Sequence, residues 1–376
     1  MSFRSLFQEI MSYGDFDRMP CWFFGTWKET RERWREEGWG DERPVHEVTG
    51  MDPDWEEGNR TWHGLVDHHP ARVEGTSRVL EETEDYKVFE KPDGAVIRQN
   101  KHRSSPPHFL KHALEPTRDS WELFKSRLDA SDPGRRPDGW REKARRLQGR
   151  ERATCFPGGS LYGLLRGQMG MENLSVLMYD DPRLFEEMVA HVADFHMQIA
   201  EPILEKCSFE FAYFFEDCCF KNGPMFSPEI YARHMHKHYR RMADFYHARG
   251  TMVMIDSDGK VDDLVGSWLE SGIDIIFPIE VGTWKASPVR FRREYGRDMR
   301  MIGGVDKHVI PKGENAIREH LAPLVDLAAE GGYIPLPDHR IPPDCSLEQF
   351  RTYVRVFRET FGVEAIANAR RSPAHV

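Results

Sequence analysis

The chain has 376 residues, enough for one large α/β unit or for two or three small domains. Its 52 Lys and Arg stand against 62 Asp and Glu, and the resulting formal charge of −10 excludes a protein that holds nucleic acid through clustered positive charge. With 30% charged residues it has no apolar run near the roughly 18 residues of a membrane span.

The start, MSFRSLFQEIMSYGDFDR, meets acids too early for a signal peptide, so a cytoplasmic protein is expected. Residues 1–150 are irregular in texture. PCWFFGT, residues 20–26, reads as an early strand, and the charge-dense WKETRERWREEGW follows it. Tyr86, Val88 and Phe89 precede Asp93-Gly94, and Val96 and Ile97 follow, which predicts a β-hairpin near residues 84–100. His68, His69 and the tryptophans Trp22, Trp27, Trp34, Trp39, Trp55 and Trp62 could serve a lid or pocket, although core packing suits most of them.

From Ala153 the chain alternates short apolar runs with amphipathic segments. The runs are ATCFPGGS, FEFAYFFED, TMVMIDSD, IDIIFPIE, MRMIGGVD and GGYIPLPDH, each nearly continuous in apolar residues, as in parallel strands buried on both faces. Between them, Pro182 opens a helix with an apolar stripe from Phe185 to Ile199. Ser227-Pro228 opens another, whose stripe is Tyr231, Met235, Tyr239, Met242 and Phe245. With PCWFFGT and one further early strand the count is about eight, the number that closes a TIM (β/α)8 barrel. The expected organisation is one α/β domain over 1–376: an N-terminal extension with the first strands and a β-hairpin insertion (1–150), the main strand–helix repeats (151–362) and a tail (363–376). No G-x-G-x-x-G or Walker A string supports the alternative, an open doubly wound sheet.

In such a barrel the chemistry sits at the carboxyl ends of the strands. Those ends carry Glu216 and Asp217, Asp256 and Asp258, Glu280, Asp306, then Asp338 and His339. Acids converging on one mouth need a cation, a metal or raised pKa values to offset their repulsion. A divalent ion such as Zn²⁺, Mn²⁺ or Mg²⁺ would suit this set. The alternative is capping by Asp258 and Asp338, with ion pairs to Lys221, Lys260, Lys307 or Arg340. His234 and His238 are four apart on a helix and could pair as ligands, but their helix is charged and a solvated face fits better. Cys218 and Cys219 read as buried thiols, as do Cys21, Cys155, Cys207 and Cys345 in the absence of any C-x-x-C pair. GGSLYGLLRGQMG could hold an anion at a helix start, and tight helix packing is its other reading.

The strings FFEDCCFKNGPMFSPEIYARHMHKHYRRMADFYHARG, IDSDGKVDDLV, GIDIIFPIEV, IGGVDKHVI and GGYIPLPDHRIPPDCSLEQFRTYV resemble the uroporphyrinogen decarboxylase superfamily, in particular its methyltransferase-type and uncharacterised branch. The resemblance runs from about residue 153 to 361 and implies a TIM barrel. The decarboxylases carry an arginine-bearing MRQAGR segment, where this chain reads FFGTWKET. Corrinoid-dependent methyltransferases carry a His-x-Cys-Gly string and a late Cys for zinc, where this chain has Asp256-Ser257-Asp258-Gly259 and Asp338-His339.

The implied function is transfer of a methyl group from a small O- or N-methylated compound to a corrinoid. A separate protein would supply the corrinoid, because Asp338-His339 lacks the spacing of a D-x-H-x-x-G string. The implied roles are catalysis by Glu216, Asp217, Asp256 and His339, and a divalent metal, zinc first, on Asp256, Asp258, Glu280 and His339. Substrate contacts would come from Trp22, Trp27, Lys221, Asp306 and Arg340. A decarboxylase of a small carboxylic acid and a non-catalytic ligand-binding barrel are the competing expectations.

Overall fold

The computed structural model of the chain describes all residues except 41–42, 54–64, 70–72, 74, 103–106 and 372–376, so Trp55 and Trp62 lie outside the described residues. The first strands are β1 (Arg78–Glu82), β2 (Tyr86–Glu90), β3 (Val96–Asn100) and β4 (His108–Lys111), an antiparallel meander in that order. The expected hairpin is β2–β3, with Phe89 opposite Ile97. Gly94, at φ 91°, makes the turn that a side chain would resist, and Asp93 Oδ1 accepts from Ala95 N at 3.0 Å. β1 and β4 are not among the expected strands: each holds only two adjacent apolar residues among charged ones, and Val79, Leu80 and Leu110 stay exposed.

The apolar runs form β5 (Cys155–Gly159), β6 (Phe211–Phe215), β9 (Met252–Asp256), β10 (Ile275–Ile279), β11 (Arg300–Val305) and β12 (Tyr333–Pro337). The two-residue strands β7 (Cys219–Phe220) and β8 (Gly223–Pro224) make a small hairpin after β6. All six long strands pair in parallel, in the order β12-β11-β10-β9-β6-β5. Spatial order thus follows chain order without reversal, as in a barrel and unlike a doubly wound sheet. PCWFFGT lies beside the chain just beyond β12: Thr26 bridges Ile341 in parallel, and Ile341 N donates to Gly25 O at 3.0 Å. The first segment thereby meets the last, as closure of a (β/α)8 barrel requires. Among the described residues no strand between PCWFFGT and β5 joins this sheet.

Every residue of β10 and β12 is buried, which explains their unbroken apolar character. The helix Pro182–Leu204 starts on an Asp181 cap and buries its predicted stripe. After Ser227 the next helix contains a π turn, Tyr231–Met235, before His236–His247. Through that turn and beyond it Met235, Tyr239 and Met242 are buried as expected, and the ordinary four-residue step from Met242 buries Tyr246 where the spacing pointed to Phe245. At the other end of the barrel, the helix Phe3–Met11 buries Leu6, Phe7, Ile10 and Met11. The expected tail forms a helix over Val363–Arg371. No helix among the described residues is long and apolar enough to cross a membrane.

Candidate active site

The end of β6 is built on an unusual helix start. Glu216 is fully buried and accepts from Leu161 N and Gly163 N, both at 2.7 Å, and from Ser160 Oγ at 3.2 Å. The anion at the start of the helix Tyr162–Met169 is therefore the chain's own carboxylate. The glycines of GGSLYGLL allow the approach: a Cβ on Gly163 would lie 2.5 Å from Phe215 O, and one on Gly158 2.7 Å from Ala212 Cβ. Burial pushes the Glu216 carboxyl up, opposed by these hydrogen bonds. With both oxygens engaged, Glu216 anchors a helix to a strand end.

Asp217 turns the other way, toward the mouth. It has φ 42°, rare for a residue with a Cβ, and its carboxylate pairs with Arg166 at 3.1 Å. The amides of Glu216 and Asp217 both donate to Asp256 O, at 2.9 and 3.0 Å, locking the ends of β6 and β9 together. Asp256 is 2% exposed, and Tyr213 on β6 donates its hydroxyl to Asp256 Oδ2. Burial pushes the Asp256 carboxyl well above the usual range. The charges of Asp258, Asp217 and Glu280 add to that effect, while the Tyr213 hydrogen bond opposes it.

Glu280, at the end of β10, is 5% exposed and accepts from Gly259 N at 2.9 Å. Burial, and then the charge of Asp258, push it up to about 7, against the Gly259 amide and the charges of His339 and Lys307. Asp258 faces His339, Oδ2 to Nε2 at 3.4 Å. The His339 ring in turn packs on Phe24 and Trp27 at centroid distances of 5.1 and 5.7 Å. Asp217, Asp256, Asp258, Glu280 and His339 thus share one electrostatic neighbourhood at the ends of β6, β9, β10 and β12.

The other expected residues divide. Arg340 lies over the Phe24 and Trp27 rings, 5.8 Å from each, beside His339. Trp27 stays 38% exposed at this rim. Trp22 stacks on Phe7, which also touches Phe211 at the start of β6, so it belongs to the core at the opposite end of the strands. Lys221 is exposed in the turn between β7 and β8. Asp306 caps the 3₁₀ turn that follows β11. Burial works upward on its carboxyl, but hydrogen bonds from His308 N and His308 Nδ1 outweigh it and hold Asp306 below its ordinary value. Asp338 is fully buried, accepting from Gly282 N at 2.7 Å and Lys307 N at 3.2 Å, with Lys307 Nζ at 3.6 Å.

His234 and His238 are buried away from the mouth, against the helix Pro182–Leu204, where His234 Nδ1 meets Glu186 at 3.0 Å. All six cysteines are buried and unbridged. Burial pushes Cys218 well above the ordinary thiol value.

The sequence reading passed over Tyr213 and Arg166 as site residues. The first carries a hydroxyl inside an otherwise apolar strand. The second is the one cation of GGSLYGLLRGQMG, and both features were available as signals. Among the described residues no group of three His, Cys, Asp or Glu side chains is arranged to hold a metal ion. Asp256 is tied to Tyr213 and Glu280 to the Gly259 amide, leaving the Asp258–His339 pair. The expected set of Asp256, Asp258, Glu280 and His339 therefore does not fit a divalent ion as arranged, because two donors already serve other partners.

A family model for uroporphyrinogen decarboxylase matches residues 160–360, slightly more than half of the chain and nearly all of the strand ends just described. The chain belongs to the uroporphyrinogen decarboxylase family. No curated protein matches it. Among solved structures, a methyltransferase from Methanosarcina mazei has the same fold, with a TM-score of 0.56 at 12% identity over 96% of this chain and 99% of that one. Family membership suggests an enzyme of this superfamily, and in a fold of this kind chemistry is expected at the carboxyl ends of the strands.

Proposed function

We propose that this family member moves a methyl group from a small O- or N-methylated compound to a corrinoid carried by a separate protein. The observation that carries this reading is the half-buried Tyr213 hydroxyl on the buried Asp256 carboxyl, which feels the charges of Asp217, Asp258 and Glu280. An oxygen or nitrogen leaving group departs poorly unless its developing charge is met, and proton donors aimed into a partly dry mouth do that. Burial raises both the Asp256 and the Glu280 carboxyls above the ordinary range, which suits them to hold and hand over a proton nearer neutral pH than an exposed acid would. His339, held between Asp258 and the Phe24 and Trp27 rings, is fixed in orientation at the rim. The reduced corrinoid supplies the electron pair that takes the methyl group. Phe215, Phe220 and Trp27, at 51%, 56% and 38% exposure, give the mouth an apolar rim that a flat macrocycle could cover.

The acids of this mouth, and the absence of an arginine in FFGTWKET, weigh against a polyacidic porphyrinogen. Incubation with a reduced corrinoid protein and a panel of methoxylated aromatics, methylated sugars and betaines tests the reading. Methylcobalamin absorbance with at least one donor is the expected result. No methylation, with carbon dioxide released from a carboxylated compound, would move the assignment to a carboxy-lyase using the same proton donors.

A further inference from the structure

Lys307 is the charged residue whose surroundings the foregoing chemistry leaves unused. It is 7% exposed and sits just beyond β11, between the ends of β10 and β12. It follows the carboxyl end of β11 and lies against Asp338 at the carboxyl end of β12, the end of the sheet where Glu280 and His339 also stand. A plain counterion for Asp338 is the simplest role, but the geometry argues for more. Both Asp338 oxygens are already engaged by the backbone amides of Lys307 and Gly282. The ammonium stands at 3.6 Å, beyond the roughly 2.7–2.9 Å of a charge-assisted hydrogen bond. Its N–H groups are therefore not committed to Asp338. A buried lysine stem that brings an uncommitted ammonium to a reaction mouth is suited to an anion that forms there.

We infer that Lys307 is a catalytic residue that stabilises a departing oxygen, which favours a methyl ether over a methylated amine as the substrate. This rests on the methyl-transfer reading and narrows it. In the step, the methyl carbon–oxygen bond breaks with both electrons staying on oxygen. The electron pair of the partner's reduced corrinoid takes the methyl group. The oxygen becomes an alkoxide or phenoxide facing the ammonium, and a proton from the carboxyl groups of the mouth then neutralises it. A quaternary ammonium donor would release a neutral amine, which develops no negative charge for a neighbouring ammonium to stabilise.

The test is a series of aryl methyl ethers whose phenols span several pKa units, given with reduced corrinoid protein to wild type, Lys307→Arg, Lys307→Met and the double variant Lys307→Met/Asp338→Asn. The double variant removes the buried unpaired carboxylate that Lys307→Met creates, and thermal melts check that each variant folds. In Lys307→Met and the double variant, kcat should drop about a hundredfold for the poorest leaving groups. It should drop far less for the best ones, so that the rate depends more steeply on phenol pKa. KM should change little, and Lys307→Arg should recover much of the loss. An unchanged slope in a folded variant, or recovery of wild-type rates by the double variant, overturns the inference and leaves Lys307 a counterion. Wild-type transfer from methylated ammonium donors but not ethers overturns it as well and leaves methyl transfer standing. No transfer from any donor overturns the methyl-transfer reading and this inference together.

Discussion

Glu280 is a carboxyl group that the fold makes expensive to ionise, and this has two measurable consequences. Its folded value, about 7, lies above its ordinary value of 4.5. As pH rises, the unfolded chain releases this proton first, so stability falls between about pH 4.5 and 7 and is then flat with respect to this group. Glu280→Gln can still accept from the Gly259 amide. It should therefore raise stability above pH 7 by up to about 3 kcal/mol, read from urea unfolding at pH 5 and pH 8. If Glu280 donates a proton in the reaction, the wild-type rate falls as pH passes upward through about 7, and the variant loses that limb along with most of its activity. Asp256→Asn keeps the shape of the Tyr213 contact and removes the acid. Its expected cost is a factor of about 10² to 10³ in kcat, with a native circular dichroism spectrum. At this scale the sequence placed the acids at the strand ends but could not show which were engaged elsewhere. The partners of Glu216 lie 53 and 55 residues earlier in the chain, and the hydroxyl on Asp256 comes from a neighbouring strand.

Elements were legible where apolar runs were long and unbroken. All six predicted runs from Ala153 onward became parallel strands, because burial on both faces leaves one hydropathy pattern and little freedom to misread it. Strands that lean on charge, such as β1, and the π turn at Tyr231–Met235 leave no such trace. GGSLYGLLRGQMG gave two readings from sequence, anion binding and tight packing, and the structure unites them through Glu216. Gly163→Ala tests that union. A methyl group 2.5 Å from Phe215 O and 2.9 Å from Glu216 O must push the helix start away from the end of β6 and lengthen the Glu216 hydrogen bonds. Destabilisation of about 2 to 3 kcal/mol is expected, measured by thermal or urea unfolding. Gly167→Ala, four residues on, has open space around its Cβ and should be neutral or slightly stabilising.

Across the whole molecule, family membership and charge point to different substrates, and the charge is the more informative about what enters the mouth. A polycarboxylated tetrapyrrole must cross the field of a chain with net charge −10 and then find cations to hold its carboxylates. The mouth offers few that are unattached. Arg166 pairs with Asp217 and Arg340 rests on aromatic rings, which leaves the single ammonium of Lys307, while the carboxyls of Asp258, Asp256 and Glu280 interact with one another nearby. Salt shortens the reach of the long-range field to about 3 Å at 1 M, but it cannot supply missing partners inside the mouth. The expected result is therefore no carbon dioxide from a polycarboxylated porphyrinogen above the enzyme-free rate, at low or high ionic strength. Turnover that appeared only at high salt would assign the barrier to the outer field alone and would require a mouth more cationic than this one. An uncharged methyl ether meets no such field, and its kcat/KM should vary by less than about twofold over the same range once the corrinoid protein is saturating.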